Sequence, residues 1–121
     1  MLDGYIAAGV RLPWVWGETD CTMWVADWCK LRFGHDPAAA FRGAYDDEAG
    51  AARLIAGGLA ETIRPWMPPL RETASPVSGD VGIVCVDGRQ VAAICCGPVW
   101  AFRTVRGICE APLKPLIAWG E

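Results

Sequence analysis

The chain is poor in histidine and has no excess of positive charge. It contains a single histidine, His35, and its eleven Lys and Arg are outnumbered by fourteen Asp and Glu, which leaves a net charge of −3. Such a balance offers no basic surface for nucleic acid. No apolar run approaches the ~20 residues that span a bilayer, and residues 1–5 lack the basic start of a signal peptide. We therefore expect synthesis in a cytoplasm, with no membrane span and no nucleic-acid partner.

Motifs that would hold a metal ion are also missing. Six cysteines are present, at positions 21, 29, 85, 95, 96 and 109, but no two have the C-x2-C spacing of common zinc sites. The adjacent pair Cys95-Cys96 would project from opposite faces of a strand. Most of the others lie in apolar runs, where a free cysteine packs as a small hydrophobe. We expect no metal and no other cofactor, and five buried, reduced thiols besides Cys21.

Apolar residues, by contrast, are abundant, at 53% of the chain, and seven residues are tryptophans. With a length of 121 residues, this composition indicates one domain, residues 1–121, with a dense aromatic core. Helical patterns fill the first half, and β-branched runs fill the second. Helices are predicted over residues 2–10, 20–33 and 46–56, and strands over residues 81–86, 90–96, 99–105 and 106–111.

Local signals mark several ends of these elements. Asp20 is a natural helix N-cap, and Gly34 supplies a left-handed stop for the same helix. Asp87-Gly88 between two apolar runs is a strong hairpin signal. The segment 65–78 holds four prolines, and we expect it to be a surface connection.

The order of elements predicts an α+β domain. Helices followed by antiparallel strands usually pack as one layer on the other. We expect the apolar helix 20–33 to be buried against an antiparallel sheet built from residues 81–111. Trp24 and Trp28 should face that sheet, and the 87–88 turn should be exposed.

Cys21 is the candidate nucleophile. It follows a glycine-containing loop and the predicted cap Asp20, at the start of a helix whose Trp24, Val25 and Trp28 share one face. N–H groups and the helix dipole at such a position stabilise a thiolate and lower the pKa of the thiol. A nucleophile of this kind also needs a base, most often histidine.

The chain offers no obvious base for Cys21. His35 lies fourteen residues later, which corresponds to ~21 Å along a helix, whereas proton transfer needs a few ångströms. It is better explained as a surface-loop or helix C-cap residue. Glu18 is the nearby side chain that could act as an alternative base, although a carboxylate with an ordinary pKa near ~4.3 is weak in that role.

Each candidate also has a purely structural interpretation. Cys21 could be a packing residue, because cysteine is among the most buried residue types. Asp20 is better explained as a helix cap than as a catalytic acid, and Asp80 as a turn residue that accepts backbone hydrogen bonds. Trp14 and Trp16 could line a groove, but packing against the central helix is the simpler expectation.

Taken in order, these short motifs resemble a known family. The pattern aromatic-x-Gly-x-x-Asp-Cys opening a helix, with Gly-Asp opening a hairpin about sixty residues later, resembles the NlpC/P60-like branch of the papain-like superfamily. The matching residues are Trp16, Gly17, Asp20, Cys21, Gly79 and Asp80. Further matches resemble a small phage and prophage family in that branch, whose members tend to be encoded among tail genes; they are Gly34-His35-Asp36-Pro37, Arg42-Gly43-x-Tyr45, Gly50-Ala51-Ala52 and Ala118-Trp119. The resemblance runs from about Leu12 to Trp119.

The same resemblance exposes one departure. In peptidase members, the catalytic histidine begins a strand with the pattern His-x-Gly-Ile-x-x-Gly. The corresponding stretch here is residues 91–97, and Val91 occupies the position of the histidine. Valine cannot accept a proton, so the usual Cys/His pair cannot form. The polar residue that orients the histidine has no clear match either.

Two functions remain open on this basis. The resemblance implies a phage or prophage tail (tail-tip) component with a degenerate active site and a structural or assembly role, which would be incorporated in the virion tail beside other tail proteins. The alternative is a peptidoglycan cysteine peptidase that uses Cys21 with an atypical base or one supplied by a partner. We favour the first, because the histidine is missing.

Overall fold

The computed structural model describes residues 1–121 and places four helices ahead of all six strands of the sheet. The helices are α1 (Leu2–Gly9), α2 (Cys21–Phe33), α3 (Glu48–Leu54) and α4 (Leu59–Ile63), followed by a 3₁₀ turn at Arg64–Trp66. The strands are β1 (Arg71–Glu72), β2 (Val81–Val86), β3 (Arg89–Cys95), β4 (Trp100–Thr104), β5 (Gly107–Ala111) and β6 (Ile117–Gly120). The predicted α+β class is confirmed. No helix is long and apolar enough to cross a membrane.

Helix α2 is the central helix that its sequence predicts. Its cap Asp20 accepts a hydrogen bond from the Met23 N–H, and Gly34 ends it in the left-handed region with a φ of 71°. Trp24 and Trp28 are almost fully buried against the sheet. The indole of Trp28 donates to the Gly79 carbonyl, 2.8 Å away, which ties the helix to the start of β2.

The six strands form one antiparallel sheet in the order β1-β6-β2-β3-β4-β5. The hairpin between β2 and β3 turns at Asp87 and Gly88, whose φ values are 51° and 77°. These angles are the two positive values that a type I′ turn requires, and the turn is exposed as predicted. The sheet is nevertheless larger than predicted, since β6 lies between β1 and β2.

Each face of the sheet carries its own apolar cluster. The helix-side cluster joins α2 and α4 to the sheet; it contains Trp24, Val25, Trp28, Cys29, Leu59, Ile63, Met67, Leu70, Val81, Ile83, Ala92, Ile94, Ala101 and Trp119. The far-side cluster has no helical member; it contains Val84, Ala93, Cys95, Trp100, Phe102 and Ala118. Successive residues of β3 therefore alternate between the two clusters, as the pleat of a strand requires.

Three expectations need correction. The proline-rich segment 65–78 is not only a surface connection, because Met67 and Leu70 are buried and Arg71–Glu72 pairs with β6. The third helix is shorter than residues 46–56, since Asp47 caps it and it ends at Leu54.

The expectation of five buried thiols besides Cys21 is also wrong. Cys29 and Cys95 are buried and Cys96 is half-buried, but Cys85 and Cys109 are exposed. Both exposed residues lie on strands, at positions that neither apolar cluster covers. The apolar pattern correctly predicted a strand at Cys85. A strand residue is buried, however, only where another layer of the protein covers that face of the sheet.

Candidate functional site

The loop before α2 is held in place by a second loop of the chain. Gly17 has a φ of 79°, and a Cβ at this position would lie 2.3 Å from the Tyr45 carbonyl oxygen. The Gly43 N–H donates to the Gly17 carbonyl at 3.1 Å. The backbones therefore meet so closely at position 17 that only glycine fits, which explains why the loop before Cys21 carries one.

Asp20 is the buried centre of this junction. Its carboxylate accepts hydrogen bonds from the Met23 N–H (3.0 Å), the Gly17 N–H (2.8 Å) and the Tyr45 hydroxyl (2.6 Å). Only 1% of the residue is exposed, so these three donors replace the water that a buried carboxylate needs. The geometry is that of a helix cap which also fixes the loop, and it leaves Asp20 no proton-transfer role toward substrate.

Cys21 begins α2 beside this junction and is half-buried. Its only side-chain hydrogen-bond partner is the Thr22 hydroxyl, 3.9 Å from Sγ. Burial, with a smaller contribution from the Asp20 carboxylate, raises the pKa of the Cys21 thiol to about 11. The expected lowering of the pKa is therefore overturned. The loss of hydration and the adjacent negative charge outweigh the Thr22 hydroxyl and the backbone N–H groups of Cys21 and Thr22, which act to lower the pKa.

No base lies beside Cys21. His35 follows the C-terminal end of α2, where its Nε2 lies 2.8 Å from the Trp66 carbonyl oxygen. The whole length of the helix, Cys21–Phe33, separates it from the thiol. It is a surface-loop residue, one of the two structural roles expected of it. Glu18 is exposed and makes no side-chain hydrogen bond or ion pair.

Strand β3 does not present a base to the helix either. Val91 packs against the far-side cluster, on the face of the sheet away from α2. Its neighbours Gln90 and Ala92 face the helices; Ala92 is in the helix-side cluster, and the Gln90 Oε1 accepts from the Ala60 N–H at the start of α4. The assignment of Val91 to the histidine position still rests on the resemblance alone, but a side chain at 91 points away from Cys21.

Arg103 is a residue of this region that sequence reasoning missed. It lies on β4, is only 3% exposed, and donates from Nη1 to the Gly9 carbonyl (2.7 Å) and from Nη2 to the Leu12 carbonyl. Its Nε has no partner, and burial lowers its pKa. Arg103 thus satisfies the carbonyls that end α1 and anchors the chain ahead of the Cys21 loop. A charged residue inside an apolar strand pattern was the available signal.

The remaining candidates have structural roles. Trp14 and Trp16 are half-buried and meet edge to face, with centroids 5.1 Å apart, and the Trp14 ring lies 5.8 Å from the Arg103 guanidinium carbon. Neither ring enters an apolar cluster around α2, so the expected core packing is not found. The Asp80 Oδ2 accepts from the Val77 N–H at 3.0 Å, which is the turn role expected of it.

Two cavities of the molecule differ in position and size. One, of about 30 Å³, lies between α2, α4 and the sheet and is large enough to hold an ordered water. A second, of about 310 Å³, lies on the surface near Arg64, Pro68, Glu72 and Trp119. Cys21 lines neither. No group of three or more His, Cys, Asp or Glu side chains is arranged to hold a metal ion.

Comparison with known proteins places the chain in a family. No curated protein and no solved structure matches it. A family model described as "Domain of unknown function (DUF6950)" matches residues 1–120. Because this match covers nearly every residue described above, the chain belongs to the DUF6950 family.

Proposed function

We propose that this chain is a phage or prophage tail component, located at the tail tip, with a papain-like, NlpC/P60-like fold and a structural or assembly role. Its partners would be other tail proteins, and it would be carried in the virion. The groups around Cys21 are the observation that supports a loss of catalysis. The Thr22 hydroxyl is the only side-chain group within hydrogen-bond distance of Sγ, and the one imidazole lies beyond the other end of α2.

The fold assignment within this proposal is supported by residues that the resemblance singled out. Gly17, Asp20, Gly43 and Tyr45 come from two separate motifs, yet they make one hydrogen-bonded junction at the start of α2. The helix that follows packs on an antiparallel sheet whose β2 comes directly after the Gly79-Asp80 pair. These contacts give Gly17, Asp20 and Tyr45 a reason for their identity that does not require catalysis.

Energetics favour the structural role over hydrolysis. A thiol with a pKa of about 11 is almost entirely protonated at neutral pH. A general base typically contributes ~10²–10⁴-fold to a rate, and a nucleophile and base act as a unit. Without that base, Cys21 retains little of the reactivity that cleavage of a peptide bond requires.

The catalytic half of the proposal can be tested with purified chain and peptidoglycan. Release of muropeptides should be no faster from the unmodified chain than from a Cys21→Ala variant, as measured by chromatography. Release that depends on Cys21 would overturn the proposal and support the peptidase alternative. The same assay on isolated tails tests a base supplied in trans, since activity would then appear only in the assembled particle and disappear with Cys21→Ala.

The structural half can be tested in a lysogen that encodes the chain. We expect mass spectrometry of induced, purified particles to detect the chain in intact tails. Deletion of its gene should give particles without normal tails, and both the unmodified gene and Cys21→Ala should restore them. A Tyr45→Asp variant, which places a second carboxylate against Asp20, serves as a control that should not restore them. Normal infectious particles from the deletion strain would contradict the proposal.

A further inference from the structure

Strand β5 leaves one edge of the sheet open. The opposite edge is β1, which is only two residues long and consists of Arg71 and Glu72. Short, charged edges resist pairing with other chains. Strand β5 is longer, contains no lysine or proline, and pairs only with β4. No other backbone or side-chain group bonds to its outer side.

The hydrogen-bond pattern identifies which residues of β5 face outward. The Cys96 N–H donates to Val99, so Val99 and every second residue after it on β4 bond toward β3. The residues between them, Trp100, Phe102 and Thr104, bond toward their β5 partners Ala111, Cys109 and Gly107. Ile108 and Glu110 therefore direct their N–H and C=O groups away from the sheet.

Two outward-facing residues fix how a second copy can pair. If two β5 strands run antiparallel, all four outward groups of each strand are satisfied only when Ile108 of one copy lies opposite Glu110 of the other. This register places Cys109 opposite Cys109 on the two-fold axis, in a non-hydrogen-bonded pair with Cα atoms ~4.5 Å apart. That separation falls within the ~4.4–6.8 Å range that a disulfide spans.

The side chains around this edge suit the same register. Glu110 and Arg106 are both exposed, and neither makes an ion pair within the chain. Arg106 lies in the β4–β5 turn, two residues before Ile108. In the two-fold pair its long side chain can reach Glu110 of the other copy, which lies opposite Ile108. The exposed residues of α1, which packs near Ile108, are Asp3 and the small residues Gly4, Ala7 and Ala8.

From these observations we infer that β5 is a self-association surface, on which two copies of the chain pair edge to edge about Cys109 and extend the sheet from six strands to twelve. Four main-chain hydrogen bonds and two symmetric Glu110–Arg106 pairs hold the dimer. This inference does not depend on the proposed tail role.

Oxidative cross-linking tests the pairing, because the chain supplies a matched control. A Cys85→Ser variant leaves Cys109 as its only exposed cysteine, and Cys109→Ser leaves Cys85. Oxidised glutathione is the oxidant: one Cys109 thiolate displaces one glutathione, and Cys109 of the second copy then displaces the other. The products are one disulfide and two reduced glutathione molecules. Covalent dimer should form at least about tenfold faster in Cys85→Ser. Equal rates, or no dimer, would overturn the inference.

The register is tested with single thiols at the neighbouring positions. Ile108→Cys and Glu110→Cys are each made in a background of Cys85→Ser and Cys109→Ser. In this register, position 108 of one copy is diagonal to position 108 of the other, and the same holds for position 110. Diagonal residues are ~7–8 Å apart, a distance that a disulfide does not span. Each variant alone should therefore cross-link poorly, whereas a mixture of the two should form dimer. Efficient dimer from either variant alone would contradict this register.

A charge exchange tests the ion pairs in the Cys85→Ser background. Glu110→Lys should slow the cross-linking of Cys109 about tenfold, because two symmetric attractions become repulsions. Adding Arg106→Glu should restore the rate, since the pairs are then reversed rather than lost. Circular dichroism verifies that each variant is folded. An unchanged rate in Glu110→Lys, or no recovery in the double variant, would count against edge-to-edge pairing.

Discussion

At the scale of single residues, Asp20 and Cys21 are neighbours with opposite surroundings. The Asp20 carboxylate has three hydrogen-bond donors within 3.0 Å. The Cys21 thiol has the Thr22 hydroxyl at 3.9 Å and the backbone N–H groups of Cys21 and Thr22, and their effect on its pKa is outweighed by burial. The Asp20 carboxylate is therefore fully hydrogen-bonded, whereas a thiolate at Cys21 is poorly stabilised, although both residues lie at the same helix terminus. At Cys21 the loss of hydration outweighs the donors that reach Sγ.

We predict slow alkylation of Cys21 in the folded chain. Because its pKa is raised to about 11, the thiolate fraction at pH 8 should be about a hundredfold or more below that of an unhindered cysteine with a pKa near ~8.5. The measurement is the iodoacetamide rate at Cys21, followed by peptide mass spectrometry in a Cys85→Ser/Cys109→Ser background. The same chain unfolded in urea provides the reference rate. Faster reaction in the folded chain would mean that a cation or base acts on the thiol.

At the scale of elements, the two loops around the start of α2 support each other. Gly17 and Gly43 both have positive φ, at 79° and 71°, but only position 17 lacks space for a Cβ. The loop before α2 is thus defined by a contact with residues 43–45 rather than by its own turn residues alone.

Replacing each glycine with alanine separates the cost of a left-handed backbone from the cost of a steric clash at Cβ. Gly43→Ala should cost about 1–2 kcal/mol in the free energy of unfolding, the ordinary cost of a left-handed alanine. Gly17→Ala should cost at least ~2 kcal/mol more, because its Cβ would also meet the Tyr45 carbonyl. Urea denaturation measures both. Equal losses would indicate that the loop moves aside without cost.

Helix α2 is joined to the following loop by one arginine. Arg42 contacts Asp27 of the helix at 2.7 Å and Asp36 of the loop at 2.9 Å. Burial acts to raise the pKa of Asp36, but the hydrogen bonds from Arg42 and the Ala38 N–H, together with the nearby positive charges, hold the pKa below its ordinary value. The ion pair therefore stabilises the folded state only while Asp36 is ionised.

Asp36→Asn should remove the stabilisation by the Arg42–Asp36 ion pair, and the size of the effect on unfolding free energy should depend on pH. At pH 7 we expect the variant to lose about 1 kcal/mol of unfolding free energy, a value reduced by partial solvent exposure. Folding lowers the pKa of Asp36. The difference in unfolding free energy between the unmodified chain and Asp36→Asn should therefore be complete above the unfolded pKa of ~3.9, and it should vanish as pH falls through the folded pKa. Denaturation at several pH values checks this. Asp46→Asn, at an exposed residue with no ion pair, should show no such difference.

At the scale of the whole molecule, the last strand completes the core. Strand β6 lies between β1 and β2 and brings Trp119, only 2% exposed, into the cluster that contains α2. Residues from both ends of the chain thus contribute to a single apolar layer, since Leu2 and Tyr5 of α1 pack against the same cluster.

Two tryptophans of opposite exposure test this arrangement. Trp119→Ala should cost about 3–5 kcal/mol of unfolding free energy, as expected for removal of a large buried side chain. Trp66→Ala, at a residue that is 47% exposed, should cost about 1 kcal/mol or less. Thermal and urea denaturation provide the comparison. Similar losses at the two positions would show that β6 is peripheral.

The sequence by itself determined what depends on neighbouring residues. The cap at Asp20, the stop at Gly34 and the turn at Asp87-Gly88 are local signals, because each works through hydrogen bonds or backbone angles within a few residues. They were sufficient to predict α2, the β2–β3 hairpin and the α+β class. The position of Cys21 at the start of a helix was predictable for the same reason.

Only the tertiary structure decided what depends on distant residues. Strands β1 and β6 are too short to be recognised alone and exist because they pair with each other and with β2. The buried position of Arg103 depends on carbonyls more than ninety residues earlier in the chain. The raised pKa of Cys21 likewise reflects burial by the folded chain, which a local pattern cannot report, because solvation is set by every element that packs around a group.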